Sequence, residues 1–146
     1  MNMDKYTIKA QEAVQEALKR VQRQGQQAIE PEHLLSGVMQ VAEEVTRFIF
    51  QKLGMNPTTV QQAVDAQISS LPKVQGGQPY LSQQSSQVLQ KAEDLAQEGG
   101  DEYVSVEHLL MAIAEVDCTA SKILKDMGLT KDDLKRAVSE LRGGQK

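Results

Sequence analysis

Apolar residues recur at spacings of three and four through most of the chain, and the runs break at Gly, Pro, Asn, Ser and Thr. Ala10, Ala13, Val14, Ala17 and Val21 draw one stripe along a helix that a Thr7 cap opens and that closes near Gln24, ahead of Gly25. Pro31 suits the first turn of a second helix, where its missing N–H costs nothing; Leu34, Leu35, Val38, Met39 and Val41 follow in register. A third helix, from about Glu43 to Leu53, turns Val45, Phe48, Ile49 and Leu53 inward and stops at Gly54. Asn56-Pro57 supplies cap and first position for a fourth, which reaches about Ser70 with Val60, Ala63, Val64 and Ile68 on one face.

From Leu71 to Tyr80 two prolines and two glycines interrupt any helical period, so this stretch reads as a connector. Beyond it Ser82 caps a fifth helix bearing Val88, Leu89, Ala92, Leu95 and Ala96, which Gly99-Gly100 closes. The polar loop Asp101-Glu102-Tyr103-Val104 leads to a Ser105 cap and a sixth helix carrying Leu109, Leu110, Ile113 and Ala114. Ile123, Leu124 and Met127 mark the seventh, and the eighth starts at Thr130. Asp132 and Asp133 stand in its first turn, where the helix dipole favours carboxylates, and Leu134, Ala137, Val138 and Leu141 form its stripe. The ending, Arg142-Gly143-Gly144-Gln145-Lys146, reads as the start of a tether and leads us to expect that the natural chain continues.

The second half repeats the first. Glu32-His33-Leu34-Leu35 returns as Glu107-His108-Leu109-Leu110 after 75 residues. The same shift aligns Thr7 with Ser82, Ala13-Val14 with Val88-Leu89, Ala17 with Ala92, Gly25 with Gly100 and Ile29 with Val104. A shift of 74 aligns Leu53-Gly54-Met55 with Met127-Gly128-Leu129, so one residue slips within each unit. The reading is all-α: two tandem, pseudo-twofold-related four-helix repeats forming one compact domain over residues 1–146. Repeat one takes residues 6–71, the connector 72–80, repeat two 81–142 and the start of a linker 143–146.

Composition supports helices over sheets: 40% of the residues are hydrophobic, mostly Ala, Val, Leu, Ile and Met, and only 3% are aromatic. With 16 Lys and Arg against 20 Asp and Glu, the chain offers no general phosphate-binding surface, and no nucleic acid is expected as a partner. The single cysteine, Cys118, precludes an intramolecular disulfide. Met1-Asn2-Met3-Asp4 opens no secretion signal, and no apolar run approaches the roughly 18 residues of a membrane span, so no membrane is expected and the cytoplasm is the expected compartment.

Little here promises catalysis. His33 and His108 occupy equivalent places just inside two helix starts, and a packing role that also bonds a backbone group accounts for both; the competing roles are general acid or ligand. No Cys or His stands at metal-ligand spacing from either, and no metal is expected. Glu32 and Glu107 each sit in a helix first turn, where a carboxylate gains about 0.3 to 1 kcal/mol from the dipole. The functional alternative is an acidic rim formed by Glu107 and Asp101 that selects basic or mixed polypeptide. Cys118 lacks a basic neighbour in its segment and reads as an inert thiol. Neither a Gly-x-Ser-x-Gly elbow nor a Gly-x-x-x-x-Gly-Lys-Ser/Thr loop is present, so no enzyme activity and no bound cofactor are expected of this chain.

Asp4-Lys5-Tyr6-Thr7-Ile8-Lys9-Ala10-Gln11-Glu12-Ala13, the two Glu-His-Leu-Leu segments, Leu53-Gly54-Met55 and Met127-Gly128-Leu129 together resemble the Clp amino-terminal repeat domain across nearly the whole chain. Leu71-Pro72-Lys73-Val74-Gln75-Gly76 and Leu141-Arg142-Gly143-Gly144 look most like the protein-disaggregase branch of that family. The resemblance implies a domain mounted by a flexible linker on AAA+ ATPase modules, absent here, that bind ATP and magnesium and assemble as a homohexamer. It implies capture of unfolded or aggregated proteins for disaggregation with the DnaK chaperone system during heat stress, with the fragment itself a monomer. It also implies substrate contact at Thr7, Asp101 and Glu107. Tyr103 and Val104 are candidates to extend that surface in our own reading, since unfolded chains need apolar contact; Val104, aligned with Ile29, reads rather as a core plug, and Tyr103 is the freer of the two. Two other readings stand beside this one: docking of a folded adaptor, as in the protease-unfoldase branch of the family, and a stand-alone hydrolase using a histidine and a serine.

Overall fold

The fold starts where Thr7 Oγ1 accepts the Ala10 amide at 3.1 Å and turns an extended entry into α1 (Ile8–Arg23). The computed structural model describes residues 2–143; Met1 and residues 144–146, which hold most of the expected tether, lie outside the described residues. Gly25, at φ 67°, reverses the chain after α1, and β1 (Ala28–Ile29) leads into α2 (Pro31–Val41). Then come α3 (Glu43–Lys52) and α4 (Pro57–Ser70), the latter capped by Asn56 Oδ1 accepting the Thr58 and Thr59 amides. Past the connector lie β2 (Tyr80–Leu81), α5 (Gln83–Glu98), α6 (Val106–Glu115), α7 (Thr119–Asp126) and α8 (Lys131–Leu141). Ser82, Ser105 and Thr130 cap α5, α6 and α8 through their hydroxyls, as the sequence predicts.

Two short pairings of extended chain accompany the eight helices of this all-α fold. In β1 and β2 Ala28 lies opposite Tyr80 and Ile29 opposite Leu81, in parallel, and a single parallel bridge joins Tyr6 to Val104. Two residues are too few for the alternation of a strand to register in a sequence. The bonds correspond across the repeat: Ser82 N donates to the Ile29 carbonyl at 3.1 Å, and Thr7 N donates to the Val104 carbonyl at 2.9 Å. Each half therefore lends the extended residues before its second helix to the entry of the other half's first helix.

One core spans both halves. Leu34 and Leu35 from α2 and Leu109 and Leu110 from α6 are almost wholly buried, each contributing about 1.5 to 3 kcal/mol of transfer free energy. Ala13 and Ala17 of α1, both buried, lie against Gly37 of α2, where the two backbones come so close that a Cβ would overlap the Ala13 carbonyl oxygen. In α3 the inward face differs from the expected one. Ala42, Thr46, Ile49 and Phe50 are buried, whereas Phe48 is 38% exposed and Val45 only half-buried. Thr46 completes that stripe because its hydroxyl donates to the Ala42 carbonyl at 3.3 Å, leaving its methyl for the core.

Candidate functional site

The repeated histidines organise the loops around the site. In each case a loop of seven residues returns to the ring. His33 Nδ1 accepts the Glu30 amide at 2.9 Å and its Nε2 lies 2.8 Å from Gln26 Oε1; His108 Nδ1 accepts the Ser105 amide at 2.9 Å and its Nε2 lies 2.9 Å from Asp101 Oδ2. An Nδ1 that accepts a backbone N–H leaves the proton of the neutral ring on Nε2, which then donates to the side chain seven positions earlier. Both rings are buried, and both hold a helix entry to the preceding loop.

The two loops differ in charge, because Asp101 stands where the first repeat has Gln26. Arg142 answers that charge. It is the capping residue of α8; its Nη1 donates to Asp101 Oδ2 at 2.9 Å, its Nε to Glu107 Oε1 at 3.1 Å and its Nη2 to Ser105 Oγ at 3.1 Å. Burial pushes the Asp101 carboxyl up, but hydrogen bonds from Arg142 and His108 outweigh it and hold the group below its ordinary value. Burial likewise lowers Arg142, and the two carboxylates more than reverse this, leaving it above the usual arginine value. His108 is lowered, by burial first; the Asp101 hydrogen bond opposes that, and the nearby Arg142 charge adds to it. Asp101 and Glu107, the pair offered as an acidic rim, are both tied to a guanidinium from the end of the chain.

Thr7 and Glu107 come together on one groove of about 600 Å³. Its walls are the start of α1, the α2–α3 corner and the start of α6, with Val41, Val45 and Val106 as apolar lining and Lys9, Glu43, Glu44 and Ser105 as polar lining. Lys9 Nζ donates to the Val41 carbonyl at 3.2 Å, which ties α1 to the end of α2 across the groove. Asp101 lies behind the wall, in the Arg142 network, and does not line the groove; Tyr103 does not line it either and is 48% exposed, while Val104 is a core plug at 2%. Val41 and Val45, which the helical pattern assigns to the core, are half-buried residues of the groove lining. Their exposure could not be read from spacing alone, because it depends on how α3 leaves the corner at Ala42.

Residues 5–127 match the Clp repeat (R) N-terminal domain. The chain belongs to this family. Over all 146 residues it is 60% identical to the chaperone protein ClpB of Bacteroides thetaiotaomicron, and over 145 residues, 99% of the chain, 51% identical to that of Porphyromonas gingivalis. It spans 17% of the length of each of these two relatives. The N-terminal domain of Hsp104 from Candida albicans has the same fold, with a TM-score of 0.83 at 24% identity over 98% of this chain and 95% of that one. The N-terminal domain of the ClpV1 ATPase from E. coli superposes with a TM-score of 0.80 at 22% identity over 99% and 89% of the two chains. Cys118, the remaining chemical candidate, is buried, with its thiol directed to the Ile113 carbonyl. No helix among the described residues is long and apolar enough to cross a membrane.

Proposed function

We propose that this chain is the substrate-binding domain of a ClpB-type ATP-dependent chaperone, and that it captures unfolded or aggregated polypeptides for disaggregation with the DnaK system during heat stress. The observation that carries this reading is the groove shared by Thr7 and Glu107, in a chain whose relatives are ClpB proteins. Its valines can take apolar side chains of an extended segment, while Thr7 and Lys9 offer hydrogen bonds to main-chain groups. A corner floored by three valines holds such a segment weakly, which suits a domain that must hand its cargo on to an ATP-driven pore. Asp101 contributes through the loop it anchors, and Tyr103 extends the apolar surface beyond the groove. ATP and magnesium belong to ATPase modules elsewhere in the parent homohexamer, which acts in the cytoplasm; the isolated domain is a monomer.

The test is an NMR titration of the domain with an unfolded, aggregation-prone polypeptide, repeated with a folded Val45→Asp variant. Amide shifts around Thr7, Val45, Val106 and Glu107 that weaken in the variant support capture. No shifts at excess polypeptide would remove direct capture and bring forward docking of a folded adaptor on the same face.

A further inference from the structure

Arg142 belongs, by sequence, to the polar tail, yet it is only 22% exposed at the side chain and all three nitrogens of its guanidinium are bonded to the Asp101–Glu107 loop. Such a fork is specific to arginine: three donors in one plane meet two carboxylates and a hydroxyl, a set of bonds that a lysine ammonium cannot reproduce in that geometry. Its partners lie 35 to 41 positions earlier in the chain, so these bonds close the end of α8 onto the start of α6. Glu107, one of those partners, is also a groove-lining residue.

The charge of the groove depends on this contact. Lys9 shares the lining with Glu43, Glu44 and Glu107; Lys9 is paired with Glu12 at 3.9 Å and Glu43 with Arg47 at 2.8 Å. With Arg142 in place the Glu107 charge is offset; without it Glu107 and the Asp101 carboxylate behind it would both act on a bound chain. We propose that Arg142 is a positioning residue of the capture groove, a clasp that holds Glu107 at the wall and mutes the acidic charge presented to polypeptide. This rests on the capture reading above. The clasp residue is also the residue that ends α8, with its amide donating to the Val138 carbonyl and Gly143 following at φ 62°. A displacement of that helix end beyond the reach of the side chain would withdraw the guanidinium from both carboxylates and leave the groove acidic.

The experiment compares the chain with Arg142→Gln and Arg142→Lys, each first shown to be folded by circular dichroism. Two unfolded polypeptides of equal length, one lysine-rich and one neutral and apolar, are titrated at about 0.05 M and about 0.5 M salt, and amide exchange is followed over residues 101–107. Arg142→Gln should bind the lysine-rich polypeptide about fivefold tighter at low salt, lose that gain at high salt, and exchange the loop amides about tenfold faster. Arg142→Lys should keep the original charge preference while the loop exchanges faster, since the charge returns without the fork. The clasp is overturned if a folded Arg142→Gln shows unchanged loop exchange and unchanged charge preference. Should Arg142→Gln unfold, loop exchange in Arg142→Lys decides the matter. If the parent chain binds neither polypeptide, the capture reading falls by itself; unchanged exchange in the variants would then overturn the clasp, and accelerated exchange would support its holding of the loop.

Discussion

His33 Nε2 lies 2.8 Å from Gln26 Oε1 while its Nδ1 accepts the Glu30 amide, so both ring nitrogens are occupied and a second proton on Nδ1 would face a backbone N–H. Burial, reinforced by Arg20, lowers this histidine from its ordinary 6.5 to about 4. The unfolded chain therefore takes up a proton between those two values that the folded chain refuses. The stability this group provides is fully present above pH 6.5 and is lost as pH falls toward about 4, by about 3 kcal/mol across the window. Urea unfolding at stepped pH, with the His33 ring followed by NMR, checks this; a ring that titrates near 6.5 in the folded domain would sink the argument.

Gly37 meets α1 where a side chain has no room. Its Cβ would overlap the Ala13 carbonyl oxygen, and both atoms sit on helix backbones that can give way only by separating α1 from α2. Gly37→Ala should cost about 1 to 3 kcal/mol, despite alanine's better helix propensity. Gly25→Ala is the informative contrast, for among the described residues nothing lies within 4 Å of a Cβ there, and its φ of 67° is the obstacle. That change should cost roughly 1 kcal/mol, and Gly25→Asn less. Equal melting temperatures for Gly37→Ala and the parent would refute the close approach.

Five helix starts were legible because each is a local matter of one capping residue: Thr7, Asn56, Ser82, Ser105 and Thr130 all cap where their residue types predict. Less legible were features that depend on distant partners. Phe48 and Phe50 are both apolar and two residues apart, and Thr46, a polar member of the true stripe, hides which of them faces in. The paired strands escape a pattern search because two residues have no period. At the candidate site, Thr7 and Glu107 were nameable from the family motif, but the engagement of Glu107 and Asp101 was not. Their partner, Arg142, sits among glycine and polar residues whose local sequence says tail.

The choice between Phe48 and Phe50 is open to direct measurement. Phe50 is fully buried in the common core, so Phe50→Ala should destabilise the domain by about 3 to 5 kcal/mol through lost transfer energy and a cavity. Phe48→Ala, at a site 38% exposed, should cost about 1 kcal/mol or less. Reversed magnitudes in chemical denaturation would mean that α3 is rotated relative to the arrangement described here.

Thr7 has two structural duties beside any contact with substrate, and a binding experiment must separate them. Its hydroxyl caps α1 and its amide donates to the Val104 carbonyl, joining the two halves at the edge of the groove. Thr7→Ala keeps the amide but removes the cap, and should lower stability by about 1 kcal/mol whether or not polypeptide touches this residue. Thr7→Asp preserves a capping oxygen, gains from the helix dipole and places a new negative charge on the groove lining beside Lys9. A lysine-rich unfolded polypeptide should accordingly bind Thr7→Asp more tightly than the parent at low salt, with stability held. If Thr7→Asp melts at the parent temperature and binds both lysine-rich and neutral polypeptides as the parent does, then Thr7 is a cap alone and the groove is not where unfolded chains are held.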